Sequence, residues 1–517
     1  MTDGGTFKAA FNTYGNTADF EERLENHLRK LLLEFVGETK ESPREGPPAI
    51  WTKGSPYRGL KTFEFEHASV FFGRTQSIDQ VIGQLLERSR EGTPPFLLIF
   101  GSSGSGKSSL LRAGVLPAIV RGGVDGIGLW RRALMQPSQT AGDLFDGLAG
   151  ALTQPNAVPE LLVGGMTEKK LAETLRVNPS MVGMLLQGAL PQIAQHVHEA
   201  EKQRLNTLAV NCRTEGRSAD AEYVERLARE LRYPEPRLVI ALDQLEEMFT
   251  HEERFSVANR AEFFSAISSL LESQFVWVIA TLRSDFFARC EELPDLIRLK
   301  SGKGQFHLLA ATGAELAQMI RLPAQAAGVR FEDHPTYGRL EDILRDAAMA
   351  GAGSLPLLEF ALENLFQAGS SRGVMTFADY SQLSRNGEGL RGILVNVAEE
   401  VYAKLSDDGR AAFPRFFLNL ATLASTEASV TGATQLRYTR RVWRPMLPLG
   451  RGDREVHVML ESNGTVLVNV ETGDKILNVK RKEFNQLAND LDDLIQRVFE
   501  AVGRDIVLTR GVLNFWE

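Results

Sequence analysis

The chain has 517 residues, of which 43% are hydrophobic and 24% charged, with a net charge of −8. That length supports about three to four domains with ample core, and the acidic balance argues against a broad nucleic-acid-binding surface. Two cysteines without spaced partners, Cys212 and Cys290, fit neither a zinc site nor a disulfide scaffold. The opening Met1-Thr-Asp-Gly-Gly has no basic or apolar leader pattern, and no run approaches the ~18 apolar residues of a membrane span, so the expectation is a cytoplasmic chain without a membrane partner.

In chain order, residues 18–36 predict an amphipathic helix, with Phe20, Leu24, Leu28, Leu31, Leu32 and Phe35 at helical spacing. A polar linker follows from Gly37 to Pro48, then a loop-rich segment from Trp51 to Arg74 and a helix over 75–90. Phe96-Leu-Leu-Ile-Phe100 reads as a buried strand and Trp130 to Gln136 as a second. Residues 141–232 read as largely helical, broken by Pro155, Pro159, Pro179 and Pro191. Arg237 to Asp243 and Phe275 to Leu282 are near-continuous apolar runs with a helix between them over 261–272, the pattern of a parallel sheet covered on both faces. Helical periodicity dominates from Ala314 to Leu405. Val456 to Asn478 alternates around Asn463-Gly464 and Gly473-Asp474, which predicts a meander of short strands. A helix over 483–502 and a last strand over 505–516 complete the expectation.

The most informative stretch is Gly101-Ser-Ser-Gly-Ser-Gly-Lys-Ser-Ser109, set between a strand and a helix. Consecutive backbone N–H groups must wrap a polyphosphate, and glycines let the backbone bend and approach closely enough. The following helix N-terminus adds partial positive charge. In this P-loop, Gly101, Ser102, Ser103, Gly104, Ser105, Gly106, Lys107, Ser108 and Ser109 are the candidate cradle. Lys107 would reach the terminal phosphates and Ser108 would ligate Mg²⁺.

Asp243 ends an apolar strand, the place for a second acidic element that holds Mg²⁺ directly or through water. Glu246 or Glu247 would orient the attacking water. Arg283, at the end of the next apolar strand and followed by Asp285, would read the γ-phosphate through a forked contact.

These residues resemble a family. Ser55-Pro-Tyr-Arg-Gly-Leu60, Phe71-Phe-Gly-Arg74, Gly101 to Pro117, Leu242-Asp-Gln-Leu-Glu-Glu-Met-Phe-Thr250, Thr281-Leu-Arg-Ser-Asp-Phe286 and Leu355-Pro-Leu-Leu358 are similar, in this order, to the novel STAND NTPases, signal-transduction ATPases with numerous domains. The resemblance covers roughly residues 50–445. It implies an α/β P-loop NTPase, a parallel sheet with helices on both faces, over 50–305. A helical lid over 306–400 and a winged-helix-like element over 401–450 would follow, with a small α+β module over 451–517; residues 1–49 hold the N-terminal helix and linker. Phe72, Gly73 and Arg74 would lie near the adenine and ribose, and Pro356 would be the lid proline that contacts the nucleotide. Thr75 stands where a Glu is usual, and Gln244 where hydrolytic relatives carry a second acid, which shifts the expectation from brisk turnover toward occupancy.

The leading reading is therefore a switch that binds ATP or ADP with Mg²⁺, hydrolyses slowly, and self-associates when a trigger acts, with an effector protein as partner. Family members commonly carry an effector before the NTPase and a long repeat sensor after it; here those positions hold 1–49 and 451–517, the mark of a compact variant or a truncated gene. A P-loop phosphotransferase and a scaffold with structural nucleotide are the alternatives. Arg437, Arg440, Arg441 and Arg444 form a basic cluster beside Tyr438 and Trp443, read as internal packing rather than a nucleic-acid site.

Overall fold

The apolar runs pair into one five-stranded parallel sheet. Its strands are β1 (Phe96–Gly101), β2 (Leu129–Met135), β3 (Pro236–Leu242), β4 (Val276–Arg283) and β5 (Gln305–His307), in spatial order β2-β3-β4-β1-β5. Every residue of β4 is buried. A strand covered on both faces has no solvent side to alternate toward, which accounts for its continuous apolar sequence. From β1 the chain leaves toward β2, and from the adjacent β4 it leaves the other way toward β5. Connections that diverge from neighbouring strands open a crevice at their carboxyl ends, where α/β sheets bind ligands.

This computed structural model describes residues 51–122, 124, 127–350, 354–384, 389–407, 409, 410 and 413, with short backbone strands toward both ends of the chain. The helices expected over 18–36 and 483–502, the strand over 505–516 and most of the winged-helix-like element lie outside the described residues. Met446–Pro448, Glu455–Glu461, Gly464–Asn469 and Lys475–Val479 pair as an antiparallel sheet in sequence order; the alternating pattern over 456–478 predicts the last three, and Met446–Pro448 precedes it.

The chain divides into two units, one of residues 1–60, 69–73 and 310–397, the other of 61–68, 74–309 and 398–517. In the second, α1 (Thr75–Arg90) precedes β1. The helix after β1, α2, runs over 107–122, and its middle stretch Leu110–Val115 is wound as a π-helix. Between β2 and β3 come α3 (Leu144–Leu152), α4 (Glu168–Val177), α5 (Pro179–Thr214) and α6 (Ser218–Glu230). Asp143 and Asp146 form a reciprocal capping box that starts α3. The sequence predicts a break at Pro191, but α5 runs through it. Leu186 and Leu190 before the proline and Ile193 after it are all buried in the main core. Each such side chain contributes about 1.5–3 kcal/mol, enough together to offset the ~3 kcal/mol that an interior proline costs. After β3 come α7 (Glu246–Thr250) and α8 (Val257–Glu272), the latter packed in the same core. Cys212 and Cys290 are both buried free thiols.

The first unit is helical: α9 (Gly313–Ala326), α10 (Leu340–Met349), α11 (Leu355–Gly369) and α12 (Phe377–Leu383). A Thr312–Glu315 capping box opens α9, and the entry segment docks on that helix through Trp51 N–H to the Ala326 carbonyl, 2.8 Å, and the Tyr57 hydroxyl to the Ile320 carbonyl. The helix Gly389–Lys404 follows. Among the described residues no helix is long and apolar enough to cross a membrane.

Candidate nucleotide site

Strand register sets the site. Gly101 at the end of β1 pairs with Arg283 at the end of β4, Leu242 of β3 pairs with Ala280 of β4, and Met135 of β2 pairs with Leu242. The Asp243 N–H continues the ladder to the Met135 carbonyl, 2.9 Å. Four strand ends therefore deliver Gln136, Asp243, Arg283 and the loop after Gly101 to one edge.

The loop itself needs its glycines. Gly104 and Gly106 have φ of 72° and 87°, a left-handed region that favours glycine. A Cβ on Gly101 would stand 2.7 Å from the Leu308 carbonyl oxygen. Lys107 curls back, its Nζ donating to the carbonyls of Gly101 at 3.0 Å and Ser102 at 2.8 Å. It is buried and makes no ion pair among the described residues, and burial lowers its pKa. The Ser105 hydroxyl is buried with no hydrogen-bond partner among the described residues. Arg74 braces the loop by donating to the Ser105 carbonyl, 3.2 Å, and the Ser109 hydroxyl accepts from the Phe63 N–H, 3.2 Å.

Asp243 is fully buried. Its Oδ1 accepts from the Ser108 hydroxyl at 2.9 Å and the Thr281 hydroxyl at 2.6 Å, and its Oδ2 accepts from Arg112 Nε at 2.8 Å. Gln244 sits at φ 60°, an uncommon conformation for a side-chain-bearing residue, and its N–H donates to the Thr281 hydroxyl, 2.8 Å. That turn separates the two acids. Glu246 Oε2 accepts from the Arg283 N–H, 3.2 Å; burial raises its pKa, and the charges of Lys107 and Arg283 pull it back. Glu247 is held elsewhere, accepting from Gln136 Nε2 at 2.9 Å and the Ser138 N–H at 2.8 Å, and burial lifts its pKa to about 7. The Arg283 guanidinium forks onto Asp285, 3.0 and 2.7 Å.

The structure thus brings together Lys107, Ser108, Asp243 and the main chain of the P-loop, with Glu246 and Arg283 joined beside them. Phe72, Gly73 and Pro356 belong to the first unit, whereas Arg74 belongs to the second. Four residues of the site are not marked by the sequence motifs: Glu64, Arg112, Gln136 and Thr281. Two carried a signal. Arg112 lies four residues after Ser108, on the same helical face, and Gln136 occupies the end of its strand as Asp243 does.

The residues present fit a phosphate group with Mg²⁺. The orphaned Ser105 hydroxyl and the ammonium of Lys107, matched only by carbonyls, both call for an anionic acceptor. Ser108 Oγ and Asp243 Oδ1, joined by a hydrogen bond of 2.9 Å, are oxygen donors of the kind Mg²⁺ takes.

A family model described as Novel STAND NTPase 1 matches residues 56–448. The chain belongs to this family. It is a nucleotide-binding P-loop NTPase of the STAND type. No curated protein matches this STAND NTPase. Among solved structures it is similar to the Aeropyrum pernix ORC1 protein in complex with DNA, at 13% identity and TM-score 0.37, covering 84% of this chain and 96% of that one. It is also similar to the Aeropyrum pernix ORC2 protein in ADPNP–ADP complexes, at 14% identity and TM-score 0.34, covering 65% and 71%. A third, Drosophila ORC bound to DNA, has 10% identity and TM-score 0.34, covering 78% and 95%.

Proposed function

We propose that this STAND NTPase is a molecular switch that binds ATP or ADP with Mg²⁺, hydrolyses ATP slowly, and self-associates according to the nucleotide it holds, in signalling or prokaryotic defence. The observation that carries the reading is a phosphate cradle with unmatched charge: buried Lys107 on two carbonyls, the orphaned Ser105 hydroxyl, and the Ser108–Asp243 oxygen pair alongside.

In this reading Gly101 to Ser109 hold the phosphates, and Ser108 and Asp243 hold the metal. Bound there, Mg²⁺ would supply charge neutralisation to the phosphate oxygens. Arg283 leaves Asp285 to meet the γ-phosphate. Glu246, close enough to Lys107 and Arg283 to feel both charges, is the better placed acid to orient a water. Glu247 is already engaged by Gln136 and Ser138. Phe72, Gly73 and Arg74 contribute the adenine and ribose side, and Pro356 in the 306–400 lid reports the nucleotide state to a winged-helix-like 401–450. Slow turnover follows from Gln244, whose backbone is locked in the turn and whose side chain cannot accept a proton as a carboxylate would.

Equilibrium binding of fluorescent ADP and an ATP analogue tests the reading. Lys107→Ala should weaken both by about 100-fold, the equivalent of roughly 2.7 kcal/mol. Mass photometry should show larger assemblies with a non-hydrolysable ATP analogue than with ADP once a trigger is supplied. A wild-type protein that binds neither nucleotide, or a Lys107→Ala variant that binds both normally, ends the proposal.

A further inference from the structure

One side chain at this edge has no role in the switch described so far. Arg112 is buried on the π-wound stretch of α2. A single π turn inside an α-helix is rare and is found mainly at functional sites. The guanidinium spends its donors on three separate chain segments. Nε donates to Asp243 Oδ2 at the end of β3, 2.8 Å. Nη1 donates to both oxygens of Glu64, 2.9 and 3.3 Å, in the segment before α1. Nη2 donates to Gln136 Oε1 at the end of β2, 3.0 Å. Gln136 passes the contact on, its amide donating to Glu247 at 2.9 Å and to the Gln244 side chain at 3.0 Å.

The geometry divides the Asp243 carboxylate between two tasks. Arg112 takes Oδ2, and that leaves Oδ1 turned to Ser108. Arg112 holds Oδ2 by one bond, and because Glu64 and Gln136 fix the other two nitrogens of the planar guanidinium, the direction of that bond is set in a way a lysine ammonium does not provide. Burial alone would weaken the Arg112 charge, and the carboxylates of Asp243 and Glu64 more than offset it.

We infer that Arg112 is a positioning residue for the metal: it orients the Asp243 carboxylate toward Ser108 so that Mg²⁺ binds with nucleotide, and the Glu64 contact makes residues 61–68 part of that metal site. The inference rests on the Ser108–Asp243 pair holding Mg²⁺ as proposed above. It assigns Arg112 to the metal and not to the phosphates, because all three of its nitrogens are already engaged by Asp243, Glu64 and Gln136. Residues that orient metal ligands from behind typically change metal affinity by about 10–100-fold when removed.

The test is fluorescent ADP binding to the full chain in EDTA and in Mg²⁺, with thermal unfolding measured in parallel. Wild type should bind more tightly in Mg²⁺. In Arg112→Ala the EDTA affinity should stay within about twofold of wild type while the Mg²⁺-dependent gain falls by about 10-fold or more. Arg112→Lys keeps the charge and one donor; it should recover part of the gain, and it carries the same test should Arg112→Ala not fold. Glu64→Gln, which leaves the Asp243 contact in place, should reduce the gain about threefold or less. An unchanged Mg²⁺ gain in both Arg112 variants overturns the inference, as does an equal loss in EDTA and Mg²⁺. A wild type that binds ADP without any Mg²⁺ gain removes the metal site itself, a failure of the switch reading and distinct from a failure at Arg112.

Discussion

Two arginines belong to this site, and they are held in opposite ways. Arg112 is forked among three chain segments, and its partner Asp243 has a side chain with 0% exposure. Arg283 is as little exposed as Arg112, at 11% of its side chain, but it is paired with Asp285, two residues along, whose side chain is 48% exposed. Breaking a fully buried pair costs about 3–5 kcal/mol, whereas a pair with one partner at the surface costs less, between that and the about 0–1 kcal/mol of a fully exposed pair. The contrast teaches that one arginine is part of the scaffold and the other can change partner at lower cost. A site that must hold its metal ligand still and yet respond to a phosphate needs one of each.

The largest effect that tests the contrast is Asp243→Ala. It takes from buried Arg112 one of its two carboxylate partners and from the Ser108 and Thr281 hydroxyls their acceptor, and should cost about 3–5 kcal/mol in urea unfolding; a loss below about 1 kcal/mol would place the pair with the exposed class. The next concerns Glu247, tied to Arg112 through Gln136. Its folded pKa of about 7 lies above the usual 4.5, so its protonated form stabilises the fold at low pH and that stabilisation is lost as pH rises through about 7. Glu247→Gln removes the titration while setting its amide against one of the two donors that the carboxylate accepts from. Its stability relative to wild type should therefore rise by about 2–3 kcal/mol between pH 4 and pH 8, whatever the offset at pH 4. A difference that stays constant with pH would mean the carboxyl is not held neutral by burial. The smallest effect is at the half-exposed pair. Asp285→Ala should cost about 1–2 kcal/mol in stability and, by releasing Arg283, shift preference toward an ATP analogue over ADP by about 2–5-fold. Competition binding of the two nucleotides measures it; a stability loss as large as that of Asp243→Ala would erase the comparison.

The sheet was legible wherever burial on both faces left an unbroken apolar run, as in β1, β3 and β4. β5 was not, because Gln305-Phe-His307 is too short and too polar to stand out. α5 was misread because local proline chemistry is written in the sequence while the burial that overrides it is not. At the site, Lys107, Ser108, Asp243 and Arg283 are marked by motif or by position at a strand end. Arg112 and Glu64 meet over 48 positions in sequence, and Arg112 and Asp243 over 131, so no local pattern could announce either contact. Gln136 is ordinary by type and acquires meaning only from the three acceptors that its amide reaches.

The bonds from Lys107 to the carbonyls of Gly101 and Ser102 have a further consequence. They give a buried ammonium two acceptors that belong to the loop itself, so the charge is held by the same backbone that curves around it. A substitution at Lys107 therefore removes two anchors of the loop together with the charge, and its effect on affinity includes the shape of the cradle as well as the lost attraction.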